Sequence, residues 1–307
     1  MYVVDLFKRL FHKNNIMVLV YLILNVFVSA FLIGMLEDMF SPQIENFSSY
    51  LIQGLIAYAI SLVVALSPIG EMIMRFQTDC REIEDSEQLN YIQPIFEDVY
   101  RQAREKDATI PENVRLYMND EEEANAFATG RKTICVTKGL LNMPEDYIRA
   151  ALSHEFGHLA HKDTDLVMLV SVGNLVISAV TLILRFIIAF IQFIFAIAGC
   201  FMGGKDGLLT QATSAIGKWM FTVVIAGFTK IWTKIGVLLV MKSSRENEYS
   251  ADQFAFELGY GDALCNLLEN VDSVEVRGLF ASLTSAHPPK EQRIQRLHEL
   301  KYCVNEI

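Results

Sequence analysis

The amino-acid sequence predicts a mainly helical α+β membrane protein, with four transmembrane helices and a domain outside the lipid that holds a small β-sheet. Three observations lead there. The chain has 307 residues, is 52% hydrophobic and has a positive mean hydropathy, too apolar for an ordinary soluble domain. Apolar stretches on the scale of a bilayer recur along it, two near the N-terminus and two after residue 166. Polar segments with helical and strand periodicities lie between and after them. The formal net charge of −10 argues against a nucleic-acid partner. Five scattered cysteines, Cys80, Cys135, Cys200, Cys265 and Cys303, form no CxxC pair and read as free thiols in a reducing compartment.

The elements follow in order. Lys8, Arg9 and Lys13 precede Ile16 to Leu36, a run of twenty-one uncharged residues. A membrane span needs about 20. A cleaved signal peptide has a shorter apolar core and a small-residue cleavage site, so this run reads as an anchor. A second span is expected over Leu51 to Gly70. The connection between them carries Glu37, Asp38 and Glu45 but no Lys or Arg, whereas Arg75 and Arg81 follow the second span. The positive-inside rule therefore places the N-terminus, and the chain from about residue 71, in the cytoplasm.

Residues 71 to 113 read as one helix that stops near Pro111. Val114 to Met118, Ala124 to Gly130 and Lys132 to Thr137 read as strands, with Glu121, Glu122 and Glu123 forming a solvated acidic turn between the first two. Leu166 to Gly204 is apolar except for Arg185. As one helix it would run about 58 Å against a bilayer core of about 30 Å, so part of it should project into water or break near Gly199. A fourth span is expected over Ile216 to Val240, with Lys218, Lys230 and Lys234 inside it. Glu257 to Ile307 reads as helical and soluble.

The chemistry concentrates in Ser153-His154-Glu155-Phe156-Gly157-His158, an HExxH pentapeptide within a helix-like run from Ile148 to Asp163. Histidines four residues apart share a helical face, so both imidazoles reach one metal ion, for which zinc is the usual occupant. Glu155 stands beside the first histidine, placed to take a proton from water at the metal. Gly157 sits mid-helix, where glycine costs about 1 kcal/mol relative to alanine; close packing of another element is a reason to keep it. A catalytic zinc needs a third protein ligand and an open position. His161 is one candidate, but its Cα lies about 10 Å along the helix from that of His154, and three side chains on one straight helix do not easily converge. The other is Glu248 in Ser244-Arg245-Glu246-Asn247-Glu248-Tyr249-Ser250-Ala251-Asp252, with Asp252 one turn later and able to accept the free N–H of a ligating histidine. The same segment by itself also reads as a merely charged helix start.

HEFGHLAHKD, SRENEYSAD and the upstream Asn125-Ala126-Phe127-Ala128-Thr129-Gly130 together resemble the three signature segments of HtpX-type membrane metallopeptidases, relatives of the CAAX prenyl endopeptidases. The resemblance spans roughly residues 70 to 300 in the same order. It implies a gluzincin with a zincin-like cytoplasmic catalytic domain, one Zn2+ held by His154, His158 and Glu248, and Glu155 as general base. It further implies that Asp252 orients a ligand, and that the edge strand Asn125, Ala126, Phe127 and Ala128 pairs with substrate backbone. Ser285-Ala286-His287-Pro288-Pro289 matches the family's last signature, in which the histidine helps stabilise the tetrahedral intermediate. Arg293 is expected to tie this segment to the core through a carboxylate.

The domains expected are a transmembrane hairpin over 1–70 and a catalytic domain in two parts, 71–165 and 242–307, with a second hairpin over 166–241 inserted between them. The activity expected is endopeptidic cleavage of misfolded or damaged membrane proteins at the cytoplasmic face of a bacterial plasma membrane, with protein substrates and membrane lipid as partners. Two other classes stand beside it. A non-catalytic scaffold or receptor has no use for a complete set of catalytic groups, and a transporter needs more spans and a site at mid-membrane depth.

Overall fold

The computed structural model describes residues 8, 10–11, 15–40, 46–202, 227–228, 231–232, 234–236, 239, 246–270 and 289–305. These are mainly helical, with one three-stranded sheet, and divide into two compact units. One unit comprises Val20–Leu62 and Gly173–Gly236; the other comprises Met1–Leu19, Val63–Val172 and Val237–Ile307.

Three helices among the described residues are long and apolar enough to cross a membrane. They are α1 (Ile16–Phe40), α2 (Phe47–Ala65) and α8 (Leu175–Met202). The fourth span, expected over Ile216 to Val240, lies mostly outside the described residues. In the first unit α1 and α2 approach closely, since a Cβ on Gly54 would sit 2.6 Å from the Ala30 backbone. Polar side chains bind the same unit together. The Asn25 amide donates to Tyr58 Oη (2.9 Å) and Asn174 Oδ1 (3.0 Å), and accepts from the Trp232 indole N–H (2.6 Å). Ser61 donates to the Gly173 carbonyl at 2.8 Å.

Those last contacts explain a departure from expectation. The long apolar stretch does not break near Gly199; α8 is helical through Gly199 to Met202. The break comes at residues 172–174, before α8 begins. Backbone groups freed by a break in an apolar setting need partners, and Ser61 supplies one at Gly173 while Asn174 joins the buried polar cluster. Arg185 lies on an exposed face of α8, next to Phe186.

In the other unit, residues 71–113 are two helices rather than one: α3 (Pro68–Gln77) and α4 (Ser86–Lys106). Asp79 takes φ 53° and turns the chain, after which Arg81 bridges antiparallel to Met118 at the outer edge of β1. Asp85 then caps α4 by accepting from the Glu87 N–H at 2.9 Å. The second helix ends at Lys106, before Pro111.

Strands β1 (Arg115–Asn119), β2 (Ala126–Thr129) and β3 (Thr133–Thr137) form a sheet in the order β1-β3-β2, with β1 parallel and β2 antiparallel to β3. Thus β2 is an edge strand. One face of the sheet packs on the core made by Ile92, Phe96 and Val99 of α4 with Leu152, Phe156 and Leu159 of α6 (Glu145–His161). A short α5 (Lys138–Leu141) links β3 to α6. The helix α7 (Asp163–Ser171) follows α6 after a single residue, and helix α9 (residues 246–257), α10 (Gly261–Asn270) and α11 (Lys290–Asn305) complete the unit. Apolar positions of α9, α10 and α11, among them Phe254, Leu264 and Leu297, join the same core as α6.

Candidate metal centre

Helix α6 is buried almost throughout, from Ile148 to Ala160. Phe156 anchors it against Tyr100 and Phe96, with ring centroids 5.3 and 5.6 Å away. This core contact fixes the rotation of the helix and turns the opposite side, with His154 and His158, toward α9. Gly157 is what lets α9 come close: a Cβ there would lie 2.8 Å from Ala251 Cα and 3.1 Å from the Ala251 carbonyl oxygen.

Across that contact three side chains bring their donor atoms together. His154 Nε2 and His158 Nε2 are 3.2 Å apart, Glu248 Oε2 is 3.3 Å from the first and Glu248 Oε1 is 3.2 Å from the second. Ligands at about 2.0–2.1 Å from a tetrahedral zinc stand about 3.3 Å from one another, so this donor set fits such an ion. All three residues are buried. His161 does not join them; its ring sits edge-on to Phe254, 6.4 Å between centroids.

Each histidine is oriented from behind. His154 Nδ1 lies 2.9 Å from Asp252 Oδ1, and His158 Nδ1 lies 3.1 Å from Asp163 Oδ2. A carboxylate on Nδ1 holds the proton there and leaves Nε2 as the lone-pair donor. Burial and the Arg293 charge disfavour protonation of His154, yet Asp252 and Glu248 outweigh them and its pKa is raised. Burial likewise opposes charging of His158, but Glu248 and Asp163 raise its pKa well above the usual value. Two buried imidazoles that carboxylates hold ready for positive charge are a setting in which a divalent cation fits.

Arg293 of α11 is buried and pairs bidentately with Asp252 at 2.8 and 2.6 Å. Its guanidinium also reaches Glu248 Oε2 at 3.7 Å. Although burial pushes the Asp252 carboxyl up, Arg293 and then His154 hold it down to about 2. Arg293 thus ties α11 to the donor set through a carboxylate. His287, upstream on the same segment, lies outside the described residues.

Glu155 is placed differently from Glu248. Its Oε2 accepts the Ala128 N–H at 2.6 Å, from strand β2. The candidate ligand atoms of His154, Glu155 and His158 all fall within 4.8 Å of one another, looser than the spacing that Glu248 achieves. Antiparallel pairing alternates the direction of backbone groups. Asn125 faces β3, where its N–H and carbonyl meet Thr137, and by alternation Phe127 does too. Ala126 and Ala128 therefore turn their N–H and C=O to the free edge.

Asp163 is absent from the residues singled out by sequence. At five residues past His158 it would lie well off that face of a continuous helix. Lys162, in the left-handed conformation with φ 59° and ψ 31°, ends α6 and swings Asp163 back. Replacing Asp163 with Asn is expected to weaken metal binding about 10- to 100-fold, read by competition with a chelator of known affinity. Unchanged affinity would show that His158 needs no carboxylate behind it.

Comparison with known proteins places these residues in a family. Residues 86–301 match the model described as Peptidase family M48. "Protease HtpX" of Tolumonas auensis is 30% identical over 227 residues, covering 67% of this chain and 72% of that protein. "Protease HtpX homolog" of Methanopyrus kandleri is 30% identical over 254 residues, covering 70% and 72%. Among solved structures, the crystal structure of S. mikatae Ste24p aligns with 96% of this chain and 64% of that chain, at 21% identity and a TM-score of 0.41. The HExxH helix, the edge strand beside it and helix α9 all fall within the matched residues, and the described residues include three helices apolar enough to span a membrane. The chain belongs to peptidase family M48, as a membrane metalloprotease of the HtpX type.

Proposed function

We propose that this protein is a zinc-dependent endopeptidase that cleaves misfolded or damaged membrane proteins at the cytoplasmic face of a bacterial plasma membrane. The observation that carries the zinc reading is the convergence of His154 Nε2 and His158 Nε2, 3.2 Å apart, on the Glu248 carboxylate, whose Oε2 lies 3.3 Å from the first and whose Oε1 lies 3.2 Å from the second. These three residues would hold the ion. Bound zinc supplies Lewis acidity, polarising a water molecule and the scissile carbonyl.

The chain's own groups do the rest. Glu155 takes a proton from the attacking water and returns it to the leaving amine. Its carboxylate is held for this by the Ala128 N–H, so base and substrate strand are linked by one hydrogen bond. A substrate extended along β2 would pair with the outward groups of Ala126 and with the Ala128 carbonyl, contacts that read backbone rather than sequence. Asn125 and Phe127 then shape the strand from its other side. Asp252 and Asp163 keep each imidazole in the tautomer with Nε2 free. His287 is the proposed donor to the oxyanion. The division into an N-terminal hairpin over 1–70, an inserted hairpin over 166–241 and a catalytic domain over 71–165 and 242–307 belongs to the same proposal. The basic residues around the first two spans support the cytoplasmic orientation.

Chelation tests the zinc reading. Treating the purified full chain with a chelator should abolish cleavage of an unfolded protein such as casein, and one equivalent of zinc per chain should restore it. Full activity after complete metal removal would sink the proposal.

A further inference from the structure

We infer that helix α3 lies in the membrane surface, with its outward apolar face seated among the lipids. The helix begins two residues after the second span, α2, ends. Ser67 and Pro68 turn the chain there: Ser67 caps the new helix by accepting from the Ile69 N–H at 3.2 Å, with proline in its first turn. A Cβ on Gly70 would sit 2.0 Å from the Ala65 carbonyl oxygen, so the start of α3 folds directly back on the end of α2.

The two faces of α3 differ in kind. Ile69, Met72 and Phe76, at positions i, i+3 and i+7, form one stripe that is 54%, 57% and 88% exposed. Beyond it, up to Val172, the exposed large hydrophobics among the described residues are Leu89 and Tyr91, at only 36% and 43%. The opposite face is fully engaged. Met74 is buried against Ala65, Met168 and Val172. Glu71 accepts the Lys132 N–H at 2.6 Å and the Thr133 hydroxyl at 3.1 Å, and Arg75 donates to the same hydroxyl at 3.3 Å.

The occupant of the apolar stripe follows from where the helix starts. A chain leaving the bilayer at Ala65 has only Leu66 and Ser67 before α3, so the helix begins at the lipid boundary. There an amphipathic helix buries its apolar side at the junction of headgroups and acyl chains. Lys132, exposed on the turn that Glu71 holds, adds a positive charge suited to anionic headgroups.

This placement has a consequence that rests on the peptidase reading. The turn clamped by Glu71 joins β2 to β3, so α3 would fix the distance of the free β2 edge from the lipid surface. Substrate segments just emerging from the bilayer would then meet that edge first.

Photo-crosslinking tests the placement without relying on activity. The full chain, with Phe76 or Met72 replaced in turn by p-benzoylphenylalanine, is irradiated in nanodiscs of phosphatidylcholine and phosphatidylglycerol. Position 97, exposed on α4, serves as the control. The expected result is an adduct of one phospholipid mass at positions 72 and 76 and none at 97. Adducts to protein alone, no lipid adduct at 72 and 76, or equal lipid labelling at 97 would overturn the inference. Repeating it on a Glu155→Gln background gives the same readout in a protein expected to be inactive, so failure here is distinct from failure of the peptidase reading.

Discussion

Glu155→Gln should leave the metal in place and lower kcat/KM for casein by about 100- to 10,000-fold, the range that a positioned general base contributes. The substitution keeps the shape of the side chain and an oxygen able to accept the Ala128 N–H. It removes the capacity to take a proton. The donor set of His154, His158 and Glu248 contains no atom of Glu155, so bound metal should stay at one per chain. The check is parallel measurement of cleavage and metal content on the two purified proteins. Activity within tenfold of the unsubstituted chain would remove Glu155 from the role of base. Loss of metal along with activity would show it to be a ligand instead.

Gly157→Ala is the second large effect, and its sign is decided by two opposing terms. Alanine in place of a mid-helix glycine favours the helix by about 1 kcal/mol. Here, however, the new methyl would stand 2.8 Å from Ala251 Cα and 3.1 Å from its Cβ and carbonyl oxygen. These are groups fixed in the backbone of α9 or directly upon it, which cannot rotate aside. Overpacking of this kind costs about 1–3 kcal/mol, and it acts where displacement matters most. Ala251 lies between Glu248 and Asp252, so moving α9 outward draws both the carboxylate donor and the partner of His154 away from α6. The expected outcome is a metal affinity lower by about tenfold or more, with activity falling alike, while Gly157→Ala protein still purifies intact. Zinc titration against a chromophoric chelator measures it. An affinity equal to that of the unsubstituted chain would mean that α9 yields freely and that the glycine has another purpose.

Both predictions depend on contacts that differ in how far the sequence could announce them. HExxH spacing is a local property, since four residues on one helix make one turn, and it placed His154 and His158 side by side without further information. Length and hydropathy made the first two spans legible, although the second ends at Ala65 rather than near Gly70, and alternating patterns located the three strands to within about two residues of their ends. The order β1-β3-β2, with its free edge on β2, is not written in any local pattern.

What tertiary structure alone decided follows from the same distinction. Periodicity reports which side chains share a face, but not what lies against that face. The continuous helix read over residues 71–113 is interrupted at Asp79, where a left-handed residue and the Arg81 bridge to β1 replace helical hydrogen bonds. The long apolar stretch breaks at 172–174 because Ser61 and Asn25, distant in sequence, are there to satisfy the polar groups. Asp163 reaches His158 only through the left-handed turn at Lys162, and the amide of Ala128 reaches Glu155 only because β2 lies beside α6. The residue types needed for this chemistry are present in the sequence, but their distances are set by backbone turns and by helices brought together from far along the chain.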